Sequence, residues 1–520
     1  LALMFLPPYK GRGVSIPIGK LMINTNDLAI AYFEYINGFG NDWFIFNHAN
    51  ILVRGGGHDV TIHDCVLGSD AHIDQAPAGD VTGGPNMQAL GVDNGTFYHN
   101  YVAYSETMGG FLRSGCRNWN IYENDFNFNG LDDRITDGLD VANSCENTTV
   151  QANMFRNNGG NGFDTYLTLG GHTIINNTAY NNGIKGRETN GMRIYGSVAN
   201  TIEKNLIYDN VGAGIMITSD ARLHRITENS IYNNGNIVPN MGATTTSNQI
   251  GIDLLDPTDD HEKGTSPFIT INDNGDGDNG GNNLINFPVI DAVIVNGNNL
   301  TVKGFAAAGA TVEFFKGDLF TGAIMPQGKT FLFSKVEGSV DDNDNTTGSY
   351  GPGLVNGVNQ GAESGVNRFE FTVPKPNGFS VGDILTATAY TAATGTSEFC
   401  AAFTAVSGGG NTPIVPNLNC VYIDVNGDIV ARFGYANANN NTVNIPFGSN
   451  NEFVPSPQDR GQGTSFQAGT HSGQFEVTFP AANTLTWNLD GSSVTADINT
   501  VRCPADLEVT QTVTNNTPNT

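Results

Sequence analysis

At 520 residues the chain exceeds what one hydrophobic core ordinarily supports, and roughly two to four domains are expected. A formal charge of −27 with only 14% charged residues excludes nucleic acid as a partner, because no excess of Lys and Arg is present to displace phosphate counterions. No apolar run is long enough for a transmembrane segment, and 65 glycines with abundant Asn favour turns and short strands over helices.

The first 44 residues form an entry or cap segment. Its opening, "LALMFLPPYKGRG", is apolar for six residues with no basic stretch before it, and reads as the start of a processed or partial chain rather than a signal peptide. From residue 45 a repeat takes over. "IYENDFNFNG", "VQANMFRNNG", "IINNTAYNNG", "IEKNLIYDNVG" and "ITENSIYNNG" share the frame apolar-x-x-Asn-x-apolar. "FYHNYV" and "IHDCVL" extend it upstream. The ladder is Cys65, Asn100, Asn124, Asn153, Asn177, Asn205 and Asn229, and from Asn100 its steps are 24, 29, 24, 28 and 24 residues. A second ladder of Gly-led strands interleaves with it: "GFLR" from Gly110, "GLDV" from Gly138, "GFDT" from Gly162, "GMRI" from Gly191, "GIMI" from Gly214 and "GIDL" from Gly251. Two ladders with one period mean one structural unit per repeat. Strands this short bury their apolar set only by stacking on equivalent strands of the next turn, which predicts a parallel β-helix over 45–287. The Asn ladder is expected to hydrogen-bond from coil to coil at a turn and to tolerate left-handed backbone there.

These frames resemble the right-handed parallel β-helix proteins of the pectate-lyase-like superfamily, over roughly residues 45–260. The resemblance implies the fold. It names no single activity, because the superfamily includes lyases, hydrolases, epimerases, adhesins and structural modules. "DGLDVAN" (137–143) and "NGFDTYL" (161–167) look like the Tyr-Gly-Phe-Asp-Pro-His strand of mannuronan epimerases, with Asp137 and Asn161 in place of the Tyr and Ala142 and Tyr166 in place of the His. The ordered polygalacturonase set is absent; "LDD" at 131–133 is an isolated fragment of it.

The third residue of each Gly-led strand is expected to point outwards, placing Leu112, Asp140, Asp164, Arg193, Met216 and Asp253 in one outer column, with Tyr166 and Tyr195 in the next. Asp140, Asp164 and Arg193 are the candidate catalytic set for a polysaccharide lyase or glycoside hydrolase: one carboxylate as acid or base, the Arg steadying an anionic intermediate. Tyr166 and Tyr195 are the candidate glycan platform. Solvation alone also selects polar residues at outward positions, so the column is equally what a non-catalytic solenoid would carry. Residues 110–230 hold 13 acidic and 10 basic side chains, net −3 (10 − 13), so this region is nearly neutral and its charge is compatible with either reading, a polysaccharide-accepting surface or a plain one. His172 and His224, just before inward strands, are expected to pack in turns.

An acidic Asp/Asn/Gly loop follows at 256–283. Asn272-x-Asn274-x-Asp276-Gly277 matches the first half of a Ca²⁺ loop, with Asn272, Asn274 and Asp276 as candidate metal ligands. Position 283 is Asn where the bidentate Glu of an EF-hand would stand, so a full EF-hand is excluded. Alternation then changes to that of a β-sandwich over 288–405, with a Gly/Pro linker at 406–417 and a second β-sandwich at 418–505. The fold class is all-β: a parallel β-helix followed by two Ig-like β-sandwich domains.

Cys420 and Cys503 open and close the last sandwich and are expected to be bridged. Cys116 and Cys145 occupy nearly equivalent places on adjacent coils, and a second disulfide is expected between them. Two such pairs with no metal-binding spacing favour an oxidising compartment. Cys65 and Cys400 have no evident partner. The final segment, 506–520, within "CPADLEVTQTVTNNTPNT", resembles the start of a further Ig-like surface-protein repeat. The order of modules is similar to that of large bacterial surface proteins, often exported by the type IX secretion route. This resemblance implies an extracellular or cell-surface, adhesin-like protein whose rigid β-helix binds glycans or surfaces. The rival readings are a polysaccharide lyase or glycoside hydrolase, and a structural spacer or exported substrate of a secretion machinery.

Overall fold

In a computed structural model the described residues are 21–23, 29–31, 49–54, 58–68, 84–131, 137–239, 245–323, 325–355, 358–408, 413–439 and 441–503. The segment 506–520 and most of 1–44 lie outside them. The chain divides into two compact units, Leu1–Ala405 and Val406–Thr520.

The first unit begins as a right-handed parallel β-helix of three sheets, with nine, eight and seven strands among the described residues. Its first sheet stacks Leu21–Ile23, Ile51–Arg54, Met87–Leu90, Gly110–Arg113, Leu139–Ala142, Phe163–Tyr166, Met192–Tyr195, Ile215–Ile217 and Ile252–Leu254. Parallel pairing thus reaches back to residue 21, upstream of where the repeat becomes legible in the sequence. Strands of two to four residues cannot bury a core alone. Stacked, they enclose one continuous core in which Phe97, Phe126, Phe155 and Phe163 pack ring to ring.

The expected ladder sits at the turn between the second and third sheets. Each Asn there does two jobs. The Oδ1 of Asn177 accepts from the backbone N–H of Asn153 (2.9 Å) and from its Nδ2 (3.0 Å), while its own Nδ2 donates to the carbonyl of Val150 (2.8 Å) and to Asn205 Oδ1 (3.0 Å). Cys65 heads the column, its backbone N–H donating to Asn100 Oδ1 (3.0 Å). The left-handed conformation is taken by the residue before each ladder position, not by the ladder Asn: Asp64, His99, Glu123, Ala152, Asn176, Lys204 and Glu228 all have φ between 52° and 56°.

A second Asn ladder, not anticipated, runs through Asn129, Asn158, Asn182, Asn210 and Asn234 at the turn between the third and first sheets. It explains the Gly-led strands. A Cβ on Gly162 would lie 2.7 Å from the carbonyl oxygen of Gly191 and 2.8 Å from Asn182 Nδ2; Gly138 is hemmed in the same way, at 2.5 Å from Gly162 O and 2.8 Å from Asn158 Nδ2. The glycines are there for space, so that amides can line the corner. A third column at the turn into the second sheet reads His172, Asn200, His224, Asn282. Thr148 N–H donates to His172 Nδ1 (3.1 Å), His172 N–H to Asn200 Oδ1 (2.9 Å), Asn200 N–H to His224 Nδ1 (3.2 Å) and His224 N–H to Asn282 Oδ1 (2.8 Å). Imidazole here replaces an amide oxygen as acceptor, which requires it neutral.

Past the last coil an antiparallel sandwich closes the solenoid. One sheet orders Thr347–Tyr350, Glu363–Pro374, Asn299–Ala306 and Val289–Asn296; the other includes Gln327–Val336, Thr311–Asp318 and Ile384–Thr391. The sandwich continues the ladders instead of merely abutting them. Gln327 Oε1 accepts from the backbone N–H and Nδ2 of Asn234 (both 3.1 Å), and Thr396 Oγ1 accepts from Ile226 N–H (2.9 Å). Helix and first sandwich therefore form a single unit. In the second unit, Cys420 and Cys503 are joined by a disulfide, and Trp487, Phe433 and Phe453 form the core.

The expected Cys116–Cys145 bridge is not formed; both are buried thiols. In-register stacking carries the two side chains into the core side by side, so they meet in a hydrogen bond instead of converging on a bond. Cys65 and Cys400 are also buried thiols, and burial pushes Cys400 up to about 12.

Replacing Asn177 by Ala leaves the Asn153 backbone N–H unpaired in a buried corner and removes a second bond to the Val150 carbonyl, and should cost about 2 kcal/mol or more in urea unfolding. Thr178→Ala, one residue on and facing outwards, should cost under about 0.5 kcal/mol. Burial lowers His172 to about 4 and His224 to about 3. Between the unfolded value near 6.5 and those values the unfolded chain binds more protons, so this contribution to stability is lost as pH falls. His172→Asn and His224→Asn should each flatten the decline in melting temperature between pH 6.5 and 4; an unchanged slope would show that these imidazoles are accessible.

Candidate functional site

The first sheet carries the candidate site. Its register aligns Asp140, Asp164, Arg193, Met216 and Asp253 as expected, but the preceding coil contributes Phe111, not Leu112. Leu112 pairs with Val141 and faces the core. Tyr166 pairs with Tyr195 in the neighbouring column, their rings stacked 4.8 Å apart.

The column points away from the core, yet it does not face solvent. Asp140 is 4% exposed, Asp164 1% and Arg193 5%. A strap formed by the start of the acidic loop lies against the Arg193 coil. The carbonyl of His261 accepts from Arg193 Nη1 (3.3 Å), and that of Glu262 accepts from Asn190 Nδ2 (3.3 Å). Arg187 anchors the strap from outside through Glu262 (3.0 Å), and the His261 ring lies 5.6 Å from that of Tyr195.

Under the strap Arg193 is clamped. Its Nε and Nη2 donate to the two oxygens of Asp164 (both 2.9 Å), and Nη2 also meets Glu188 Oε1 (3.0 Å). Burial opposes the charge on Arg193, but Asp164 and Glu188 more than offset it and hold the guanidinium well above its usual value. Asp137 and Asp140 have no such partner. Burial first, then neighbouring carboxylates, raises both well above the ordinary range, with the Arg193 guanidinium acting in the opposite direction. Asp137 Oδ1 accepts from Asn161 N–H (2.8 Å), heading a short column with Asn190. One oxygen each of Asp137, Asp140 and Asp164 lies within 4.8 Å of the others.

Sequence reasoning missed Asp137, Glu188 and the strap. Asp137 had a signal: Asp137-Gly138, Asn161-Gly162 and Asn190-Gly191 repeat one dipeptide frame before the strands. Glu188 and the strap had none, because they come from non-repeating insertions.

The Ca²⁺-loop ligand set also differs from expectation. Asn272 is buried, with Nδ2 donating to the Phe287 carbonyl (2.8 Å) and to Tyr350 Oη (2.9 Å) and Oδ1 accepting from Phe287 N–H (3.0 Å). Asn274 Oδ1 accepts from Ser364. Both amides are used in fastening the loop to the sandwich. The carboxylates that converge are Asp273, Asp276 and Asp278, an all-oxygen group suited to a hard cation.

A profile of the family described as periplasmic copper-binding protein (NosD) matches residues 129–250. Among solved structures, the chain is similar to the periplasmic alginate epimerase AlgG, at 16% identity and TM-score 0.24 over 36% of this chain and 48% of that one. It is similar to DFA-IIIase from Arthrobacter chlorophenolicus A6, at 15% identity and TM-score 0.29 over 47% and 56%. It is also similar to tailspike protein 2 of bacteriophage CBA120, at 10% identity and TM-score 0.25 over 74% and 72%. The chain spans about half the length of the first two. The likeness is one of fold. Among the described residues no helix is long and apolar enough to cross a membrane.

Arg193→Met leaves Asp164 buried without its counter-ion and should lower unfolding free energy at pH 7 by about 3–5 kcal/mol in guanidinium titration. The deficit should shrink at lower pH as Asp164 takes a proton. A loss under about 1 kcal/mol, the value of an exposed pair, would contradict the sealed arrangement.

Proposed function

We propose that this chain is the rigid β-helix part of an exported, adhesin-like bacterial protein that binds glycans without turning them over. The observation that carries the reading is the contrast along one sheet. The carboxylates and arginine that a lyase or hydrolase would use are buried, with Asp164 and Arg193 paired to each other, whereas Tyr166 in the adjacent column is 37% exposed. Acid–base chemistry needs a group within hydrogen-bond reach of substrate, and the strap withholds Asp164 and Arg193 from that reach. Binding needs only a preformed surface. The stacked tyrosines are held by a ladder that costs no ordering when a glycan docks. The passive-spacer reading gives no reason for stacked aromatic rings beside a neutral corner.

The test is incubation with a panel of neutral and uronate polysaccharides, following retention in native affinity gels together with new unsaturated ends and reducing sugars. Retention without product, weakened about tenfold by Tyr166→Ala combined with Tyr195→Ala, is the expected outcome. Product formation that disappears in Asp164→Asn would replace this reading with the enzymatic one.

A further inference from the structure

Among the described residues three stacked aromatic columns face outwards, and they end differently. Tyr180, Tyr208 and Tyr232 stack on the third sheet at 5.2 and 5.1 Å. That column is closed at one end by Lys329, whose ammonium sits 4.5 Å from the Tyr232 ring, and its register neighbour at the other end is Arg156. His63, Tyr98 and Tyr122 stack on the second sheet at 4.7 and 4.8 Å, with Gln151 as the next residue in register. The Tyr166–Tyr195 column differs. The residue in register before Tyr166 is Ala142, buried in a small apolar cluster with Met108 and Phe111.

Beside this column the corner between the first and second sheets is apolar. Leu167, Leu169, Val198 and Leu223 are 39–53% exposed, from three successive coils, so with the tyrosines they form a strip about 10 Å long by ordinary strand spacing. Leu167 leans over the next coil, where a Cβ on Gly196 would meet its Cδ2 at 2.6 Å. Charges at the rim balance. Arg117 and Glu146 pair with each other (2.8 Å), and Asp220 and Arg222 lie on one coil, with Asp220 Oδ1 accepting from Gly196 N–H (3.2 Å). On a chain of net charge −27 this is a strip with no excess of either sign.

We infer that the Tyr166–Leu169 corner binds an uncharged glycan that presents apolar ring faces and methyl groups, such as one built of hexoses and 6-deoxyhexoses, and discriminates against polyuronates. The inference rests on the glycan-binding reading above and narrows its ligand. Its physical basis is complementarity. An aliphatic strip desolvates C–H faces and methyls favourably, whereas a carboxylate laid along it would lose hydration and meet Arg222 only beside the Asp220 carboxylate. The acidic chain as a whole also repels a polyanion at low salt.

The test measures retardation of the full chain in native gels containing galactomannan, a neutral rhamnan, alginate or polygalacturonate, at low and high salt. Expected is retardation by the two neutral polymers, unaffected by salt, and at least about tenfold weaker in Leu169→Asp and in Val198→Asp, with melting temperatures kept near wild type. Preference for the uronate polymers overturns this inference while leaving glycan binding intact. Neutral-polymer binding that both variants retain in full also overturns it, by moving the site elsewhere. No retardation by any polymer would overturn the glycan-binding reading itself.

Discussion

The structure depends on the buried side-chain amide that pairs with its own kind one coil away. Each tight turn of the solenoid leaves a backbone N–H that the strand ladders cannot satisfy, and water is excluded from the corner. An Asn oxygen from the next coil accepts that N–H, and the amide nitrogen returns a bond to a carbonyl of the core strand. Leaving such groups unpaired would cost about 1–3 kcal/mol each. The same turns hold non-glycine residues in the left-handed region, a conformation that is unfavourable for a single residue and persists because its neighbours are bonded above and below. Every coil is thereby fixed to its neighbours, and the outward columns inherit that alignment.

A ladder has ends, and an exposed end is an invitation to add another strand. The sandwich closes the C-terminal end by imitating a further coil. Gln327 supplies an amide and Thr396 a hydroxyl, and Asn282 of the preceding loop supplies a further amide. The sandwich and the solenoid form one compact unit, and the hydrogen-bond network of one is completed by the other.

Legibility in the sequence followed periodicity. The Asn100–Asn229 ladder could be read because one side chain recurs at nearly fixed spacing. The Asn129–Asn234 ladder recurs as regularly, but inside "FNG" and "NNG" turns, where local turn chemistry already accounts for an Asn. The glycines were visible long before their purpose, since the clash that excludes a Cβ involves an amide on another turn. The misplacement of Leu112 arose at Gly109-Gly110, where two glycines allow two registers. Burial of Asp164 and Arg193 was not readable, because what covers them is supplied by residues far downstream that belong to no repeat. The unbridged Cys116 and Cys145 teach a related lesson: equivalent positions on adjacent coils bring side chains alongside one another, and a bridge needs them to converge.

One sheet thus carries two surfaces of opposite character. The charged column is internal, with one guanidinium clamped by Asp164 and Glu188 and with burial raising Asp137 and Asp140 above the ordinary carboxylate range. The aromatic column and the corner beside it are what the outside meets. The separation depends on the strap staying down. Hydrogen–deuterium exchange of the native chain, read on peptides covering 256–264, 163–166 and 192–195, measures this directly. Slow exchange of all three segments, released together with global unfolding, is what the account predicts. Rapid exchange of the strap, with the two strands opening after it while the remainder of the solenoid stays protected, would mean that Asp164 and Arg193 meet solvent in the native state, and would contradict it.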